Sequence, residues 1–118
     1  MPTMTTRPPT TATRRNRLAL ATEWPSSTVV RIRASGDIDV ANSAEVLDYV
    51  LRSGANCRSL ILDLKDVTFF ATAGFSILQT IDAFSSRASV SWMVVPGALV
   101  SRVLSICDPL RTLPRGVE

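Results

Sequence analysis

The side chains able to do chemistry in this chain are hydroxyls, carboxylates and two thiols. The 118 residues include no histidine. A histidine general base, a histidine-activated nucleophile and histidine metal ligands are therefore excluded. Cys57 and Cys107 are too few for a zinc site and form no CxxC pair. There is no GxxxxGK(S/T) phosphate loop, and no pair of carboxylates marks a cleft. These absences argue against an enzyme, and no cofactor or metal is implied. The hydroxyl of Thr72 stands out instead. It lies in Phe70-Ala71-Thr72-Ala73-Gly74, where an apolar run gives way to a helical pattern. A hydroxyl at the mouth of a helix can cap the free amides of the first turn. A phosphate placed there would meet the positive end of the helix dipole.

The elements that must position Thr72 can be read from periodicity. Leu60-Ile61-Leu62-Asp63-Leu64 is a short, nearly continuous apolar run, the pattern of a buried parallel strand. Lys65-Asp66 reads as a turn. Val67 to Phe70 then leads to a helix whose apolar face is Gly74, Ile77, Leu78, Ile81 and Phe84. Phe75 falls off that stripe, so it is either an exposed anchor for a partner or packed under the preceding loop. Asp63, inside a strand, is expected to bond neighbouring backbone.

Upstream, residues 17–24 and 28–34 alternate and are joined by Pro25-Ser26-Ser27, which predicts an antiparallel hairpin. Gly36-Asp37-Ile38-Asp39 ends the second strand. Asp37 and Asp39 follow strand ends, where they can meet a partner or form a solvated turn, with Asp39 in an Asx turn. Asn42-Ser43-Ala44-Glu45 resembles a capping box with Asn in the first place, and Gly54 closes the helix behind it. Downstream, residues 90–95 form another apolar strand and Pro96 opens a helix. Leu99, Val100, Val103, Leu104 and Cys107 form its stripe, and Asp108-Pro109 stops it. Leu110 to Leu113 has the character of a last short strand. The order β-β-α-β-α-β-α-(β) predicts an α/β fold: a small mixed β-sheet with helices mainly on one face.

Composition limits the partners. The formal charge is +3, from 13 basic and 10 acidic residues. Arg7, Arg14, Arg15 and Arg17 crowd the N-terminus, and without them the balance is −1. The basic character belongs to a tail and is not a nucleic-acid footprint. Residues 1–16 are rich in Thr, Pro and Arg without apolar periodicity, the composition of a disordered segment ahead of one domain at 17–118. No run is long enough for a membrane span and no apolar leader precedes the domain, so a cytoplasmic protein is expected.

Four segments, in order, resemble the STAS domain as found in anti-sigma factor antagonists. VVRIRASGDID (29–39) is similar to the family strand ending in G-(D/E)-(L/I)-D. LILDLKDVTFFATAGF (60–75) is similar to its strand-loop-helix signature. Trp92 to Pro96 resembles its fourth strand and third-helix start. VLSICDPLRTLP (103–114) resembles its closing segment. The resemblance implies a protein that binds an anti-sigma factor, usually one with a kinase-like ATP-binding fold, and so frees a sigma factor. It aligns the family's phosphoacceptor with Thr72. Two loops converging at strand C-termini, with the off-stripe Phe75, predict the surface that binds this partner: Asp37, Asp39, Asn42, Ala71, Thr72, Ala73, Gly74 and Phe75. The chain departs from the family at Ala71, usually Asp, and at Ala73, often Ser. Asp108-Pro109 replaces the usual Ser-Gly or Thr-Gly, and the family's last helix is absent or truncated. The other role the resemblance allows is a soluble accessory subunit of a lipid or anion transport system.

Cys57 and Cys107 are also redox candidates. Cys57 precedes the central strand, and Cys107 ends a helix expected to return antiparallel to the strands. Both would then lie at one sheet edge. A bridge needs Cα atoms within roughly 7 Å. Against it, a cytosolic compartment keeps thiols reduced, and Cys107 fits its helix stripe as a small hydrophobe.

Overall fold

The computed structural model describes residues 17–116; the tail at 1–16 and the last two residues lie outside the described residues. Strands β1 (Leu18–Glu23) and β2 (Val29–Ile38) form the antiparallel hairpin. Helix α1 (Ser43–Ser53) leads to β3 (Ser59–Phe70), parallel to β2. Helix α2 (Thr72–Ala88) leads to β4 (Ser91–Val95), parallel to β3, and helix α3 (Gly97–Cys107) follows. The sheet order is β1-β2-β3-β4.

Strand alternation decides the two faces. Val30 and Ile32 of β2, Leu60, Leu62 and Leu64 of β3 and Val94 of β4 enter one core cluster. Val46 and Val50 of α1, Ile77, Leu78 and Ile81 of α2, and Val100 and Leu104 of α3 complete it. The alternate residues of β2 and β3 carry charge. Asp63 is buried; its Oδ2 accepts from Arg31 Nη2 at 3.2 Å and Arg33 Nε at 3.4 Å, and its Oδ1 accepts from the Lys65 N–H at 3.0 Å. The backbone bond was legible in the sequence; the two arginines were not. Burial pushes the Asp63 carboxyl up, but the Lys65 N–H and Arg31 outweigh it and hold it below its ordinary range.

Three sequence expectations are corrected. Lys65-Asp66 is not a turn, and β2 does not stop at Ala34 but runs to Ile38, within the Gly36–Asp39 segment expected to end it. The two strands stay paired to Asp37↔Phe69 and Ile38↔Phe70, with register shifts at Arg33/Ser35 and Gly36/Asp37. Bulges absorb the polar residues without breaking the ladder. Gly36 has φ +98°, and a Cβ there would sit 1.8 Å from the Arg17 carbonyl oxygen, so only glycine lets β1 pass. Third, Leu110 to Leu113 forms no strand. The buried Asp108 carboxylate gathers this segment, accepting from the Thr112 N–H and hydroxyl and from the Leu113 N–H. A single parallel bridge joins Arg115 to Val94 instead.

Candidate functional site

The ends of β2 and β3 lie side by side, so the loops that leave them start together. The Ala71 N–H donates to the Ile38 carbonyl at 2.9 Å and ties the two exits. Two side chains set the first loop. Asp39 Oδ1 accepts from the N–H of Ala41 at 2.9 Å and of Asn42 at 3.1 Å, the Asx turn expected as one reading of Asp39. Asn42 is fully buried. Its Oδ1 accepts from the Asp39 N–H and its Nδ2 donates to the Asp37 carbonyl, each at 2.9 Å. Its amide therefore does not cap α1, although Asn42 holds the N-cap position. The capping-box reading fails because the loop's own backbone is nearer. Asp37 Oδ1 accepts from the Thr68 hydroxyl at 3.1 Å.

Thr72 is exposed, as its site reading requires, but it is not a cap. The extended residue before α2 is Ala71, with φ −80° and ψ 168°, and no side chain caps the helix. The boundary falls one residue earlier than the periodicity suggests, and alanine has no acceptor to offer. The first turn of α2 also contains no acid. The Thr72 hydroxyl thus stands at a helix terminus with no side-chain cap and no acid in its own first turn.

Of the other residues read as partner-binding, Gly74 and Asn42 are buried and lie beneath this surface. Gly74 is held against Phe70: a Cβ there would lie 2.6 Å from the ring. Phe75 is partly buried and packs against the core cluster. Ala71 and Ala73 are half-buried, and Asp37 and Asp39 are half-exposed.

The exposed apolar groups are elsewhere. Val40 is 81% exposed, Phe69 51% and Ile106 78%. Val40 follows the end of β2, and Phe69 is three residues before Thr72. A groove of about 270 Å³ runs between the end of β3 and α3, lined by Phe69, Phe70, Leu99, Arg102, Val103 and Ile106. The signal for Phe69 was present: of two consecutive strand aromatics, only one can face the core. Nothing local signalled Ile106, because its exposure depends on what α3 meets.

Cys57 and Cys107 are both free. Cys57 precedes β3, and its Sγ donates to the Gly54 carbonyl at 3.2 Å. Ile106, next to Cys107, borders the groove with Phe69 and Phe70 at the other end of that strand. The structure does not bring the thiols together.

The site and sheet order define a small α/β domain with two loops converging on an exposed hydroxyl. The chain belongs to the STAS domain family, whose profile matches residues 23–108. The fold is similar to that of an anti-sigma factor antagonist from Mycobacterium paratuberculosis, with TM-score 0.69, 20% identity, and 90% of this chain and 89% of that one covered. It is also similar to the anti-sigma factor antagonist SpoIIAA in its unphosphorylated form, with TM-score 0.68, 13% identity, and 85% and 90% covered. In sequence, 83 residues are 35% identical to the Osmosensory protein A of Mycobacterium tuberculosis, 70% of this chain. The matched stretch spans about half, 51%, of that relative's length. Among the described residues, no helix is long and apolar enough to cross a membrane.

Proposed function

We propose that this chain is an anti-sigma factor antagonist that binds its partner at the joined ends of β2 and β3 and is switched at Thr72. The likeness to two antagonist folds supports this reading. The observation that carries it is the exposed Thr72 hydroxyl, which caps no helix amide, at the start of α2 beside the tied exits of β2 and β3. In the unmodified state, Phe69 and Val40 supply the apolar contact and Asp37 and Asp39 its polar rim. Phosphorylation adds about −1.5 to −2 charge there. The uncapped α2 terminus stabilises that charge within the chain, while the partner would have to desolvate it. The expected partner is an anti-sigma factor with a kinase-like ATP-binding fold. With Ala at 71, the residue that precedes the hydroxyl carries no carboxylate to help a kinase recognise it.

Capture from native lysate, with bound proteins identified by mass spectrometry, tests the reading. Wild type should retain an anti-sigma factor that Thr72→Glu does not retain. Recovery of a transport ATPase by both forms, with no anti-sigma factor, would replace this reading with the transport-subunit one.

A further inference from the structure

A second cleft, away from Thr72, lies on the other side of α3. Its volume is about 510 Å³, within the range of small-molecule sites, and it is bounded by the end of β4, the start of α3 and the segment 111–116. Three of its lining residues, Lys65, Arg111 and Arg115, are cationic, and none is acidic. Asp108 is buried and is not among the lining residues. Its Oδ2 accepts from Arg115 Nη2 at 2.8 Å, which fixes the guanidinium and offsets one of the three charges. Arg115 Nε is buried and has no hydrogen-bond partner among the described residues. Lys65 Nζ is 3.8 Å from Asp63 Oδ2, a carboxylate it shares with Arg31 and Arg33.

The backbone brings these groups together at two unusual positions. Gly97, with φ +70°, lets the start of α3 lie against β3; a Cβ there would sit 2.7 Å from the Lys65 Cα. Arg111 has φ +55°, an uncommon conformation for a residue with a side chain, and its N–H donates to the Asp108 carbonyl at 3.0 Å. The first turn of α3 contains no acid, and Ser101 extends the polar wall one turn further.

We propose that this cleft binds a small phosphate-bearing molecule. Clustered guanidinium and ammonium groups match phosphate oxygens, and the amides of an acid-free helix start add to them. The reading is independent of the Thr72 site, since it uses none of the same residues.

Calorimetric titration of the full chain with pyrophosphate tests it, with amide shifts at Gly97, Ala98 and Ser101 followed by NMR. Saturable binding is expected, with those amides moving. Arg111→Gly keeps the left-handed backbone while deleting the cation, and Ser101→Asp adds an acid to the wall of a folded helix. Each should weaken binding at least tenfold, while Thr72→Ala leaves it unchanged. Pyrophosphate binding without association to phosphatidylglycerol vesicles supports a soluble ligand. Vesicle association displaced by pyrophosphate supports a lipid headgroup in the same cleft. The proposal is overturned by no saturable binding at millimolar pyrophosphate, by wild-type affinity in both cleft variants, or by vesicle association that pyrophosphate does not displace.

Discussion

At Thr72 the variable that matters is charge. The hydroxyl caps nothing, so Thr72→Ala should change stability by no more than about 0.5 kcal/mol, as for an ordinary surface substitution. A melting curve shifted by a full cap's worth would contradict that. Thr72→Glu should fold equally well and lose the anti-sigma factor, which a titration would show. The two phenylalanines should separate binding from folding. Phe69→Ala should lower partner affinity by about 1 kcal/mol or more with melting unchanged, whereas Phe75→Ala should lower the melting temperature, because Phe75 packs on the core. The opposite pattern would move the anchor back to Phe75.

Asp108 gives a prediction in pH. Burial pushes its carboxyl up, but bonds from the Thr112 hydroxyl and N–H, the Leu113 N–H and Arg115 outweigh burial and hold it well below the carboxylate range. The unfolded chain therefore takes up this proton first as pH falls. The resulting stability is complete above about pH 4, the ordinary Asp range, and is lost as pH drops from there toward the folded value. Asp108→Asn should flatten the acid limb of a plot of melting temperature against pH. It should also destabilise by about 3 kcal/mol at neutral pH, by leaving Arg115 without its counter-charge. An unchanged acid limb would show that Asp108 is not the group being titrated.

Among the elements, the start of α2 is the most constrained. Alanine favours a helix over glycine by about 1 kcal/mol, yet Gly74→Ala should be destabilising. Its Cβ would enter the ring of Phe70, which is itself buried, and overpacking of that kind costs about 1–3 kcal/mol. A rise in melting temperature would mean that the ring yields. The same region shows what the sequence could disclose. The alternation of Val30 and Ile32 and the helical stripe through Ile77, Leu78 and Ile81 were legible because each pattern is local. The extension of β3 through Lys65 and Asp66 was not, because it depends on β2 remaining alongside. The roles of Asn42 and Ala71 were missed for a related reason. A cap position is decided by which residue is extended, and a side chain's partner by which backbone is nearest; neither follows from residue type.

For the molecule as a whole, the β1–β2 pairing has a consequence for residues ahead of the fold. Leu18 pairs with Gly36, only two positions before the end of β2. The chain thus enters its folded part at the same end of the sheet from which the Thr72 surface is built. Arg14 and Arg15 precede Arg17 by three and two residues, and three residues of any chain span at most roughly 10 Å. An acidic group presented at that end of the sheet, whether on a docked partner or as phosphate on Thr72, would be a counter-charge for these arginines. Removing residues 1–16 should weaken partner binding several-fold at low ionic strength and make little difference at high salt, where charges beyond a few ångströms are screened. An equal loss at both salt concentrations would mean that the segment contributes through contact rather than charge. The N-terminal arginines, set apart in sequence from the domain they precede, are joined to it at the end of the sheet that carries its proposed switch.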